Sequence, residues 1–116
     1  MAETYDSVLD RISAFNVATE ALSKARAQQV TVSVPGRDGC SLRLARTADS
    51  YEIEVHGVPP EGAEALTGMG FAPRGDAFVR EVRKSERSWS VASQIEDVLQ
   101  DALALGLEGK ILVETA

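Results

Sequence analysis

The chain contains one cysteine, Cys40, and one histidine, His56. A lone cysteine excludes an internal disulfide and a zinc site built from cysteines. A lone histidine acts as a general base only beside a positioned nucleophile or acid. Basic residues are also scarce, 12 against 18 acidic ones, for a net charge of −6. Nucleic-acid binders need a dense positive face, so no nucleic-acid partner is expected. No apolar run approaches the roughly 20 residues of a spanning helix, so no membrane partner is expected either. The opening stretch MAETYDSV is acidic and lacks the basic head and apolar run of a secretion signal. These absences make the cytoplasm the expected location. Internal repeats and low-complexity tracts are lacking as well.

What is present suffices for one domain, 1–116. Its 116 residues are 44% hydrophobic, enough for a small core that leaves roughly a third of the unfolded surface in water. Self-association would help such a domain, and its acidic surface suits a basic or apolar partner. Residues 5–28 read as an amphipathic helix. Tyr5, Val8, Leu9, Ile12, Phe15, Thr19, Leu22 and Ala25 recur there at three- and four-residue steps. Thr4 and Asp6 are its candidate caps, and Asp10, Arg11, Glu20 and Lys24 its surface charges.

The period then drops from 3.6 to 2. Val30, Val32 and Val34 alternate with Thr31 and Ser33, and after the turn PGRDG, Cys40, Leu42 and Leu44 alternate with Ser41 and Arg43. This spacing predicts a hairpin. A third strand follows in YEIEVHG, with Tyr51, Ile53 and Val55 on one face and Glu52, Glu54 and His56 on the other. The first helix is expected to cover the apolar face of this meander. PEGAEALTGM fits a short helix stopped by Gly68 or Gly70. Phe71 and Ala72 open a short strand, and Ala77 to Arg83 form the next. Ser88 or Ser90 can cap a last helix that carries Val91, Ile95, Val98, Leu99, Ala102, Leu103 and Leu105 and stops at Gly106. Ile111 and Val113 suggest a terminal strand. The expected fold class is α+β, two-layer, helices packed on an antiparallel sheet, in the order α-β-β-β-α-β-β-α with a possible C-terminal strand.

Several patterns invite a chemical reading. Arg74, Gly75 and Asp76 spell a tripeptide that cell-surface receptors read when a loop displays it. A glycine and an aspartate after Pro73, flanked by Phe71 and Phe78, also make an ordinary hairpin turn, which is the expectation here. His56 shares a strand face with Glu54 and Glu52, but positions two apart on a strand lie about 7 Å apart, too far for two short ligands to one ion. Glu96, Asp97 and Asp101 read as the solvated face of the last helix. The glycines of GMGFAPRG have the wrong spacing for a phosphate loop. Cys40 reads as a small hydrophobe. The local excess of Arg74, Arg80, Arg83, Lys84 and Arg87 reads as a solvated hairpin edge. Trp89 either plugs the core or anchors a partner. No catalytic, cofactor-binding or metal site is expected.

The element order, with LTGMGFAPRGDAFVREV as a short helix ending at Gly-Phe before a hairpin, resembles the type III secretion chaperone and YbjN-like superfamily over Tyr5 to Leu105. That resemblance implies a strongly bent sheet, a homodimer, and a protein or extended peptide client bound on apolar patches. The expected function is a non-catalytic protein- or peptide-binding module. Trp89, Val91, Ile95 and Leu99 are the expected dimer or partner surface, and Phe71, Phe78 and Val79 an apolar patch. The alternatives are a small enzyme with a pocket between sheet and helix, using His56 or an acidic pair, and an immunity or regulatory subunit.

Overall fold

Alternating apolar and polar residues make strands that bury one face, and here seven of them join one antiparallel sheet. The computed structural model describes residues 2–37, 39–47, 50–83 and 88–116. In chain order the elements are β1 (Ala2–Tyr5), α1 (Val8–Ser23), β2 (Gln29–Ser33), β3 (Ser41–Arg46), β4 (Ser50–His56), α2 (Pro60–Gly68), β5 (Ala72–Arg74), β6 (Ala77–Arg83), α3 (Ser88–Asp97) and β7 (Ile111–Thr115). α3 runs on into a π-helical turn, Val98–Ala102. The sheet order is β1-β7-β2-β3-β4-β6-β5, so the fold is the expected α+β arrangement with its C-terminal strand.

The predicted hairpin and meander are present, and their alternation decides which face is inside. Val30, Val32, Leu42, Leu44, Tyr51, Ile53 and Val55 are buried, while the residues between them are not. One inward row crosses all seven strands through paired positions: Glu3, Val113, Val32, Leu42, Val55, Phe78 and Pro73. The terminal strand finds its place between β1 and β2, closing the gap between the two ends of the chain.

The first helix differs from its expectation in extent and in facing. It begins at Val8 rather than Tyr5, because Ser7 is the cap: its Oγ accepts from the Asp10 amide at 3.3 Å. Thr4 and Asp6 do not cap it, and Thr4 and Tyr5 belong to β1 instead, paired with Leu112 and Ile111. The buried stripe is Arg11, Ala14, Phe15, Ala18, Thr19 and Leu22. Leu9, expected inside, is 79% exposed, and Arg11, expected on the surface, is wholly buried.

Both long helices end on an alanine in the left-handed region. Ala25 (φ 58) follows α1, with Arg26 N–H donating to Ala21 O at 2.8 Å. Ala104 (φ 54) follows the π-helical turn, with Leu105 N–H donating to Leu99 O at 2.8 Å. The first is a six-to-one bond and the second, after the wider π turn, a seven-to-one bond; both satisfy helix-end carbonyls. They stop α1 before residue 28 and the last helix before Gly106, the expected terminator.

Candidate functional site

The residues expected to meet a partner are mostly inside. Val91, Ile95 and Leu99 are buried between α3, α1 and the sheet, and Phe71 is buried too. None of the four offers a surface, and the basis for a dimer through Val91, Ile95 and Leu99 falls away with it. A wide apolar stripe on the last helix is what the core requires, since α1 lies across it. Phe78 and Val79 are successive residues of β6 and so point to opposite faces. Phe78 stands inward opposite Val55, and Val79 stands outward opposite Glu54. Phe71, Phe78 and Val79 therefore make no common patch. The side chain of Trp89 lies outside the described residues.

The outward face of the sheet carries a charged cluster. His56 Nε2 and Glu54 Oε1 are 2.5 Å apart, and Arg43 Nη2 donates to Glu54 Oε2 at 3.2 Å. Arg74 Nη2 donates to both Glu54 Oε2 and Glu52 Oε1 at 2.7 Å. Gly75 takes φ 64 in the β5–β6 turn, so Arg-Gly-Asp is a hairpin turn whose arginine bridges strand carboxylates. Hydrogen bonds from His56 first and Arg74 second, with Arg43's charge adding, outweigh burial and hold the Glu54 carboxyl down to about 2. Ser41 faces His56 across the β3–β4 pair. A serine–histidine–carboxylate relay needs the serine hydrogen-bonded to the imidazole and oxyanion donors beside it. Among the described residues no hydrogen bond joins Ser41 to His56, and the carboxylate is already held by two arginines. The cluster staples β3, β4 and β5 together.

The acidic residues of the last helix differ in burial. Glu96 is buried, contrary to expectation, because Arg11 Nε donates to its Oε2 at 3.1 Å and Arg11 Nη2 to its Oε1. Asp97 and Asp101 stay exposed. The Asp97 carboxyl is raised, by burial first and then by the charges of Asp101 and Glu96. Among the described residues no group of three or more His, Cys, Asp or Glu could hold a metal ion. Burial likewise raises the Cys40 thiol, with Arg37's charge opposing, so Cys40 is a core residue and a poor nucleophile.

A concavity lies elsewhere, at the end of the sheet that holds both chain termini. A groove of about 470 Å³ runs between α1 and the inner face of β1 and β7. Helix residues Ser13, Ala14, Val17, Ala18 and Ala21 form one wall, and Glu3, Tyr5, Val113 and Thr115 form the other. Three alanines leave the helix wall shallow, and β1, held by β7 from the far end of the chain, extends the sheet past the helix. Val17 on the rim is 67% exposed. Leu9 and Val17 are eight residues, about two turns, apart and so share a side of α1. Tyr5 Oη donates to Glu3 Oε2 at 2.6 Å, which together with burial and the carboxylate charge raises the phenol's pKa.

Sequence reasoning missed this groove because it placed Tyr5 in the helix and saw no strand at Ala2–Tyr5. Val17, an apolar residue outside the predicted stripe and one turn beyond Ser13, was the available signal. Compared with known protein families, known proteins and solved structures, the chain matches none.

Proposed function

We propose that this chain is a non-catalytic binding module that holds an apolar segment of a partner protein in the groove between α1 and the β1–β7 end of the sheet. One observation carries the reading: a groove lined by three alanines and two valines opens beside an exposed Val17. Covering an exposed valine or leucine side chain is worth about 1.5–3 kcal/mol, so a segment that fills the groove has a driving force. The charged cluster around Glu54 pairs strands on the outward sheet face and lines no part of this groove. The resemblance to secretion chaperones read from the sequence supports the same direction. Benzoylphenylalanine placed at position 17 should photo-crosslink a protein client in the native host, while the same probe at position 31, on the outward sheet face, should not. Equal yields from the two positions would refute the assignment.

A further inference from the structure

We infer that the partner segment docks as an eighth strand along β1, with a lysine or arginine set against Glu3; this rests on the binding reading above. The two sheet edges are unlike. β5 is a three-residue edge carrying Pro73 and Arg74, and proline and basic residues are what keep an edge from pairing. β1, the opposite edge, has the sequence Ala-Glu-Thr-Tyr with neither proline nor a basic residue. An edge strand presents unpaired backbone donors and acceptors to an extended chain.

Position selects the chemistry. An added strand prolongs the inward row that runs from Pro73 through Val113 to Glu3, and its inward side chains enter the mouth of the groove beside Val17. There the first neighbour is the exposed Glu3 carboxylate, which accepts from the Tyr5 hydroxyl. A basic side chain answers that charge, and small apolar ones fill the alanine-lined space on either side. The same carboxylate disfavours a second copy of the chain, which would bring two Glu3 residues and two net charges of −6 together.

The test uses the full chain and two fluorescein-labelled synthetic heptapeptides that alternate valine with threonine. One carries lysine at its central inward position and the other glutamate. Anisotropy at low salt should show the lysine peptide binding about tenfold tighter or better, with the preference reversed in Glu3→Lys. Val17→Asp should weaken the lysine peptide's binding, and hydrogen exchange should show residues 2–5 newly protected by it. Equal affinities for the two peptides, or binding without that protection, would overturn the strand mode. So would a dimer that the lysine peptide fails to dissociate, since the occupant would then be a second copy. If neither peptide binds, this inference is wrong; crosslinking at position 17 then decides whether the groove still takes a protein in another form.

Discussion

Arg11 and Glu96, 85 residues apart in the chain, meet as an ion pair in the core, with the arginine wholly enclosed. The guanidinium does more than bind one carboxylate. Its Nη1 donates to Gly106 O at 3.0 Å and Gly109 O at 2.7 Å, and Gln100 Nε2 donates to Glu96 Oε1 at 2.9 Å. One side chain thus joins α1, α3 and the loop that delivers β7 to the sheet. A buried charge is tolerated only with its donors matched in this way.

Removing one partner should expose that dependence. Arg11→Met leaves Glu96 unanswered in the core and is expected to cost about 3–5 kcal/mol. Glu96→Gln keeps an acceptor for the guanidinium and should cost less, about 1–3 kcal/mol. Urea unfolding followed by circular dichroism measures both. An Arg11→Met protein as stable as the parent would show that the pair does not hold the core together.

Backbone approach sets a second expectation. A Cβ on Gly62 would sit 2.1 Å from Ala102 O, so Gly62→Ala must push α2 off the π-helical turn. Overpacking of this kind costs about 1–3 kcal/mol. The opposite change should help at Ala25, whose left-handed conformation costs an L-residue about 1–2 kcal/mol. Ala25→Gly is expected to raise the thermal midpoint and Gly62→Ala to lower it. A midpoint that falls in Ala25→Gly would contradict the helix-end geometry.

Acid sensitivity follows from Glu54. Its carboxyl is held down to about 2, against an ordinary 4.5. Because the folded-state value is depressed, the stabilisation is fully present above pH 4.5 and is lost as pH falls from there toward 2. Carbon-13 NMR of the carboxyl should place its titration near the bottom of that window. Arg74→Gln should shift the titration upward and shrink the acid-side loss. Titration at the ordinary value in the parent protein would dismiss the cluster.

Burial separates a core role from a docking role. Leu99→Ala should lose about 2–5 kcal/mol by opening a cavity, with no change of mass by light scattering in the protein that remains folded. Val17→Asp, at an exposed position, should change stability by less than about 0.5 kcal/mol yet abolish crosslinking at the neighbouring Ser13. Parent-like stability in Leu99→Ala would return that residue to the surface.

Much of the fold was legible because strand alternation is a local property. The pattern of Val30, Val32, Leu42, Leu44, Ile53 and Val55 states which face is inward without reference to any partner, and all six are buried. The turns were legible for the same reason: Gly36, Gly39 and Gly75 take positive φ where the sequence placed them. A helix face is less local. Phe15, Thr19 and Leu22 were read correctly, but the stripe turns toward Arg11 and away from Leu9 because Glu96 and the carbonyls of Gly106 and Gly109 receive the guanidinium.

Composition and periodicity alone determined an acidic α+β chain and its strand faces, since these depend on content and on neighbours a few residues away. Only the tertiary structure decided that Ala2–Tyr5 is a strand, because its partner Ile111–Thr115 lies at the far end of the chain and no short window contains both. The groove exists only where those two strands run past α1. Its position, like the burial of Arg11, is set by contacts between segments distant in sequence, which carry no local signature.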